Sequence, residues 1–267
     1  MTERITAKKS LGQYFLNNER VPQAMADAVD ITADDTVFEI GPGTGVLTKE
    51  LLARGAHVIA LEADPRAINS LTSTFGEEIA TQRLSLHHGD ARSFDLSALG
   101  LKEHEYKVVA NIPYYLSGKL FRTFLSSDCQ PVLLVFLIQR EVAERIAKDT
   151  KESLLSLSVK IYGDPEYVKT VKRGNFSPQP QVDSAIVVVR NISHARLAGI
   201  DDSFFFEVLH CGFGSKRKQL LGNLTQMFPR KTLEHTFSTL NIPLSTRAED
   251  LSLSIWLDLV RALEVHR

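Results

Sequence analysis

Short apolar runs alternate with segments of helical spacing between Val21 and Arg190, and this alternation restricts the possible folds more than any other feature. Each run is nearly continuous in its apolar character, which is typical of strands covered on both faces of a parallel sheet. The predicted strands are Thr36–Ile40, His57–Leu61, Leu84–His87, Lys107–Ala110, Val132–Ile138 and Ala185–Arg190. The segments of helical spacing between them are Val46–Arg54, Pro65–Phe75, Gly118–Leu125 and Glu141–Lys148. Regular strand–helix alternation predicts a doubly wound α/β domain with a mostly parallel, Rossmann-like sheet, which the last run would close.

The pattern changes after Asn191, where helical spacing continues without further apolar strands. Helices are predicted at Ser203–His210 and within Glu249–Val265, with Asn241-Ile242-Pro243 as a break between them. A chain of 267 residues is long enough for one large domain and a small companion. We therefore predict an α/β domain over residues 1–195 and a small helical domain over residues 196–267.

Composition and charge argue against several classes of protein. The sequence has no apolar run long enough to span a membrane, and residues 1–20 lack the apolar stretch of a secretory signal. Cys129 and Cys211 show neither metal-binding nor redox spacing, which predicts a cytoplasmic protein with free thiols and no metal site. The net charge of −1 argues mildly against a nucleic-acid partner. Lys216-Arg217-Lys218 nevertheless form a local basic cluster, which is either a solvated face or a contact surface for nucleic acid.

A glycine-rich segment follows the first predicted strand and leads into a helix. Its glycines, Gly41, Gly43 and Gly45, let the chain turn sharply and approach a ligand at the carboxyl end of the strand. Glu62 ends the next strand, 17 residues after Gly45, where an acid can bind the two hydroxyls of a ribose. The alternatives are a tight turn without a ligand, and a carboxylate that caps the following helix. Asp64, directly before Pro65, suits the capping role better than Glu62 does.

Two details favour S-adenosylmethionine over a dinucleotide at this site. The glycines stand at alternate positions behind Glu39, whose charge would repel a pyrophosphate but suits a sulfonium and an amino group. Asp90 ends the third strand, where a carboxylate can accept a hydrogen bond from the adenine N6 amine of the cofactor. Ligand-like residues at the ends of successive strands predict one shared pocket for S-adenosylmethionine.

The fourth strand leads into Asn111-Ile112-Pro113-Tyr114-Tyr115, whose residue types fit methylation of an aromatic amine. The side-chain oxygen of Asn111 and the carbonyl of Ile112 can accept both N–H bonds of an adenine amine, which localises its lone pair. Pro113 fixes φ and removes a donor, and Tyr114 offers a flat face on which a base can stack. Methyl transfer from a sulfonium depends mainly on positioning, so that no strong general base is required. The alternative is a structural turn in which Asn111 caps a helix and the tyrosines pack in the core.

These motifs resemble those of the KsgA-type ribosomal RNA adenine dimethyltransferase family, which also includes the erythromycin-resistance methylases. The similar segments run along nearly the whole chain: Lys9–Leu16, Glu39–Gly45, Glu62, Asp90, Asn111–Tyr114, Gln139–Arg145, Asn175–Ala185, Lys216–Leu220 and Arg247–Ser252. One departure is visible, because Tyr14 stands where the family usually has Asn or His. A backbone contact from Tyr14 or Leu16 to the cofactor is the expectation there.

The resemblance implies a specific reaction and substrate. It implies S-adenosylmethionine-dependent dimethylation of N6 on two adjacent adenosines in the 3′-terminal hairpin of small-subunit (16S) rRNA, with Phe176 and Tyr114 enclosing the target base. It also implies that Lys216, Arg217 and Lys218 face RNA in a 30S-type pre-ribosomal particle, and that the chain is a monomer which takes part in small-subunit maturation. The alternatives are a large-subunit methylase of the macrolide-resistance type, a DNA adenine methylase, and a ribosome-assembly factor whose catalysis is secondary.

Overall fold

The structure, a computed structural model, describes residues 6–8, 12–33, 35–215 and 217–267. The strands in chain order are β1 (Phe15–Leu16), β2 (Thr36–Ile40), β3 (His57–Glu62), β4 (Leu84–His88), β5 (Tyr106–Asn111), β6 (Leu133–Gln139), β7 (Asp164–Val171), β8 (Phe176–Ser177) and β9 (Ser184–Arg190). The α-helices are α1 (Arg20–Val29), α2 (Val46–Ala53), α3 (Pro65–Thr74), α4 (Gly76–Ala80), α5 (Ser117–Leu125), α6 (Arg140–Ala147), α7 (Leu154–Lys160), α8 (Asp202–Gly212), α9 (Leu220–Leu224), α10 (Arg230–Thr239) and α11 (Leu253–Glu264).

Seven strands form one mostly parallel sheet in the order β4-β3-β2-β5-β6-β9-β7. All neighbours from β4 to β6 pair in parallel, and β9 pairs antiparallel with both β6 and β7. The predicted fold class is therefore confirmed, and each predicted strand lies within one residue of an observed one. The prediction that the run ending at Arg190 closes the sheet is wrong, because β7 lies outside it. With Pro165 and several charged residues, β7 has the composition of an edge strand and not of a buried one.

The sheet is covered on both faces, as its apolar strands require. Alternate strand residues pack with α1 and α2 in one core cluster, which includes Val37, Val58, Val109, Val135 and Ile186. On the other face, Phe38 of β2 and Phe136 of β6 form an aromatic cluster with Phe121 and Phe124 of α5 and with Phe94. Both faces of the central strands are therefore buried, which fixes the register of strand pairing and with it the positions of the strand ends.

The parallel register brings the carboxyl ends of four strands to one edge of the sheet. Ile40 at the end of β2 is opposite Leu61 on β3 and Ala110 on β5. The direction of strand order reverses between β2 and β5, which is where doubly wound sheets open a crevice for a ligand. The residues that follow these strand ends are the candidates for a functional site.

A separate two-stranded sheet holds the beginning of the chain against a later loop. In this sheet β1 pairs antiparallel with β8, so that Leu16 is opposite Phe176. The backbone N–H of Asn17 also donates to the carbonyl of Asn175 over 3.0 Å. These bonds fix the backbone directly after Tyr14.

The contacts group the chain into two compact units, 1–144 with 163–192 and 145–162 with 193–267. The second unit is helical and has its own core around Trp256, whose indole N–H donates to the carbonyl of Ala248 over 3.2 Å. This grouping assigns 145–162, with α7, to the helical unit, whereas the predicted division at residue 195 assigned the segment to the first domain. Among the described residues, no helix is both long and apolar enough to cross a membrane.

Candidate functional site

A pocket opens at the carboxyl edge of β2, β3, β4 and β5 in the first unit. About 920 Å³ of empty space lies between its walls, part of it open to solvent. Eight of the ten residues predicted to contact cofactor or target base line it: Tyr14, Gly41, Gly43, Glu62, Asp90, Asn111, Pro113 and Tyr114. The structure thus brings together residues from five separate segments of the chain.

The glycine-rich segment has two requirements for glycine, one of packing and one of access. Gly45 has a φ of +80°, and a Cβ there would lie 2.7 Å from the ring of Phe75 and 2.8 Å from Leu71. Gly41 has a φ of +68°, and no atom lies within 4 Å of the position of its missing Cβ. Gly45 therefore lets α2 pack closely, whereas Gly41 leaves space beside the pocket for a ligand.

Glu62 is held in a fixed orientation at the end of β3. One carboxylate oxygen accepts the backbone N–H of Gly43 over 3.0 Å, and the other accepts that of Asp64 over 2.8 Å. Asp64 itself caps α3 by accepting the backbone N–H of Arg66, and the Arg66 side chain lowers the pKa of Asp64 to about 2. The interpretation of Asp64 as the helix cap is confirmed, which leaves Glu62 as the acid that faces the pocket.

Glu39 does not line the pocket, contrary to the prediction that its charge faces the sulfonium and the amino group of the cofactor. Its side chain is 1% exposed, and it accepts a hydrogen bond from the Thr48 hydroxyl over 2.7 Å. Burial raises its pKa to about 8, and the charge of Glu62 acts in the same direction. At pH 7 most of the Glu39 carboxyl is therefore protonated, and it does not face the pocket, so the preference for S-adenosylmethionine must rest on the other residues.

Asp90 reaches the pocket together with Arg92, which the sequence analysis did not single out. Nε and Nη2 of Arg92 donate to the carboxylate over 2.9 Å and 2.5 Å, and its backbone N–H donates over 2.8 Å. This pairing lowers the pKa of Asp90, so that the group remains a carboxylate acceptor. The only indication of this ion pair in the sequence is that Arg92 follows Asp90 by two positions.

Asn111 ends β5 with its amide oriented by the N-terminal segment. Its Nδ2 donates to the carbonyl of Tyr14 over 3.0 Å, so that Oδ1 is the acceptor end of the side chain. Pro113, not Asn111, precedes the short helix at 114–116, and α5 begins after Leu116. The alternative in which Asn111 caps a helix is therefore wrong.

Tyr114 is tethered at its hydroxyl and covered on its ring. The hydroxyl is 2.8 Å from the Ser184 hydroxyl, and burial raises the Tyr114 pKa. The ring of Tyr14 stacks on that of Tyr114 with 5.5 Å between centroids and 24° between planes. Neither the role of Ser184 nor this aromatic pair was predicted, although Ser184 lies within the family-like segment Asn175–Ala185.

Two predicted site residues lie outside the pocket. Phe176 is 3% exposed and Leu16 is 8% exposed, and both side chains pack in the core cluster beneath β1 and β8. In this conformation Phe176 does not form a second face for a base. Phe15, between Tyr14 and Leu16, lines the pocket instead.

The predicted RNA-contacting cluster belongs to the second unit. Lys216 lies outside the described residues, whereas Arg217 and Lys218 are exposed after α8. Lys218 also lines a cleft within this unit, together with Arg145, Lys151 and Arg247. The cleft carries acids as well, among them Glu152 and Glu249, so its charge is mixed.

Comparison with known proteins identifies the family. The sequence model of the family described as "Ribosomal RNA adenine dimethylase" matches residues 4–264. A protein of Dehalococcoides mccartyi named "Ribosomal RNA small subunit methyltransferase A" is 37% identical over 255 residues, which cover 94% of this chain and 87% of that protein. A protein of the same name from Geobacillus thermodenitrificans is 34% identical over 268 residues, covering 96% and 90%.

Solved structures agree with this result. A dimethyladenosine transferase from Plasmodium falciparum superposes with a TM-score of 0.80 at 26% identity, covering 94% of this chain and 98% of that one. The 23S rRNA methyltransferase ErmE superposes with a TM-score of 0.72 at 23% identity, covering 94% and 99%, which shows a shared fold. The chain belongs to the ribosomal RNA adenine dimethylase family, and it is a methyltransferase.

Proposed function

We propose that this chain uses S-adenosylmethionine to dimethylate N6 of two adjacent adenosines in the 3′-terminal hairpin of small-subunit rRNA. The observation that carries the proposal is the fixed amide of Asn111, whose acceptor oxygen belongs to the same pocket as Glu62 and Tyr114. The substrate is a 30S-type pre-ribosomal particle, and the chain acts on it as a monomer. The similarity to two proteins named for the small subunit supports this choice over the large-subunit alternative.

The residues of the pocket fit S-adenosylmethionine. The open space at Gly41 accommodates a ligand close to the backbone, and the carboxylate of Glu62 suits a pair of ribose hydroxyls. The carboxylate of Asp90 suits an adenine amine, with Arg92 holding it ionised. When bound, this cofactor would supply a methyl group on a sulfonium, whose sulfur leaves as a neutral thioether.

The chain's own groups prepare the amine for this transfer. In the first transfer, Oδ1 of Asn111 and the carbonyl of Ile112 accept its two N–H bonds, so that its lone pair is directed toward the methyl group; in the second, one of them accepts the single remaining N–H. Each transfer forms an N–C bond, breaks the S–C bond of the sulfonium and releases one proton from the nitrogen to solvent. Tyr114 stacks on the base and fixes the orientation of its plane, and the Tyr114 hydroxyl is held by Ser184. The contribution of these groups is orientation, which alone accounts for large rate effects when the reacting atoms are well aligned.

The target adenine must leave its stack to enter such a pocket. Unstacked loop bases are the usual targets of proteins that read RNA, and extrusion of a base is cheapest where it is unpaired. A hairpin loop therefore suits the pocket better than a duplex does. Arg217 and Lys218 of the second unit are the exposed cations we assign to phosphates of the same RNA, together with Lys216, their neighbour in the sequence.

Methyl transfer from labelled cofactor to isolated small and large ribosomal subunits tests the proposal. We expect label in small subunits that lack the modification, recovered as N6,N6-dimethyladenosine after digestion to nucleosides. Label confined to large subunits would establish the large-subunit alternative. Particle binding without label in either subunit would favour an assembly factor.

A further inference from the structure

Tyr14 lies where the two groups assigned to the target adenine meet. Its carbonyl accepts the amide hydrogen of Asn111 over 3.0 Å, and its ring stacks on Tyr114 at 5.5 Å. The ring also lines the pocket beside both residues. A single residue thus contacts the acceptor group through its backbone carbonyl and the stacking group through its ring.

The spacing of the two rings leaves no room for a base between them. A flat ring in contact with neighbours on both sides needs two contacts of 3.5–4.0 Å, or about 7 Å in all. The centroids of Tyr14 and Tyr114 are only 5.5 Å apart, and their planes differ by 24°. The Tyr14 ring therefore takes the position on Tyr114 that a stacked base would take.

The backbone of Tyr14 is fixed, so that only its side chain can clear this position. Phe15 and Leu16 are paired with β8, and the carbonyl of Tyr14 is bound by Asn111. Phe176 competes with neither ring, because it is buried beneath the small sheet. Rotation of one partly buried aromatic side chain would uncover the face of Tyr114.

We propose that Tyr14 is a positioning residue for the target base, whose ring covers the stacking face of Tyr114 until an adenine displaces it. This inference rests on the proposed function of the pocket. The exchange replaces one aromatic stack with another, so that the net gain depends on how well the incoming base stacks. Purines offer more ring area than pyrimidines, and the exchange consequently favours adenine over a pyrimidine at this position.

A comparison of two variants isolates the ring. Tyr14→Phe keeps the ring and removes the hydroxyl, whereas Tyr14→Asn removes the ring and leaves the backbone bond to Asn111 possible. We expect the KM for unmethylated small subunits to be about 2- to 10-fold lower for Tyr14→Asn than for Tyr14→Phe, with kcat differing less, because no stack has to be broken. A KM for Tyr14→Asn that equals or exceeds that for Tyr14→Phe would overturn the proposal.

A second measurement needs no RNA and separates this inference from the proposed function. Urea unfolding of the free chain with Tyr14→Asn, Tyr114→Ala and both changes together forms a double-mutant cycle. We expect the two effects to be non-additive, since each change removes the same contact, and additive effects would contradict the stack. If the unsubstituted chain methylates neither subunit, the proposed function fails and this cycle still decides whether Tyr14 covers Tyr114.

Discussion

The replacement Glu39→Gln isolates what the charge of a fully buried acid does to this fold. Glu39 is 1% exposed and accepts a hydrogen bond from Thr48, which a glutamine oxygen can also accept. Burial raises its pKa to about 8 from an ordinary value of 4.5. The folded chain therefore holds a proton at neutral pH that the unfolded chain has released.

The direction and size of the effect follow from that difference. Below pH 4.5 both states hold the proton, and the difference makes no contribution to stability. Between pH 4.5 and 8 only the folded state takes it up, so that the free energy of unfolding falls as pH rises. The whole difference corresponds to a loss on the order of 5 kcal/mol by pH 8. The Glu39→Gln variant should lack this loss and be the more stable protein in alkaline buffer.

Urea unfolding followed by circular dichroism from pH 5 to pH 9 measures the effect. Glu77→Gln is the matched control, because Glu77 is exposed on α4 and should leave the pH dependence of the unsubstituted chain intact. An equal pH dependence in the Glu39→Gln variant and the unsubstituted chain would refute the reasoning. The affinity for S-adenosylmethionine should change by less than about tenfold, or 1.4 kcal/mol, because Glu39 does not line the pocket. A larger loss of affinity at unchanged stability would show that the charge of Glu39 does attract the cofactor.

Three further predictions concern the reaction itself. Asn111→Ala should reduce methyl transfer by about 100-fold or more while calorimetry still detects cofactor binding, as expected for a lost transition-state hydrogen bond; near-normal turnover would contradict the role of Asn111. Ser184→Ala removes the partner of the Tyr114 hydroxyl, a bond worth about 1 kcal/mol, and should raise the KM for RNA about 5-fold; a change in thermal stability alone would make Ser184 merely structural. Arg217→Glu with Lys218→Glu should weaken RNA binding and make it less dependent on salt concentration in filter-binding titrations. An unchanged salt dependence would show that the cluster is a solvated surface without contact to RNA.

The sheet was predictable because its strands carry their own signal. Buried parallel strands are apolar on both faces, and each of the six such runs became a strand within one residue of its predicted bounds. The edge strand β7 was missed because it is exposed on one side and contains Pro165 and charged residues. Helix α1 was not predicted, since half of its buried face consists of proline and alanine (Pro22, Ala26 and Ala28), which give a weaker apolar pattern than larger side chains would.

The predictable part of the site was the set of residues whose positions depend on the backbone of the sheet alone. Strand ends meet at one edge in any doubly wound sheet, so Glu62, Asp90 and Asn111 were expected to converge. Side-chain choices within that frame were not predictable from spacing. Glu39 is buried and bonded to Thr48 of α2, Phe176 packs in the core, and Tyr14 stacks on Tyr114, and none of these contacts follows from spacing alone.

The pairing of β1 with β8 has a consequence for the order in which the pocket forms. Each of the two strands contributes two residues, and the paired residues Leu16 and Phe176 are separated in the sequence by most of the first unit. The loop-closure entropy against such a contact is large and its hydrogen bonds are few, so that it forms after the strands of the main sheet. On a growing chain the wall of the pocket that contains Tyr14 is therefore assembled only after residue 177 has emerged.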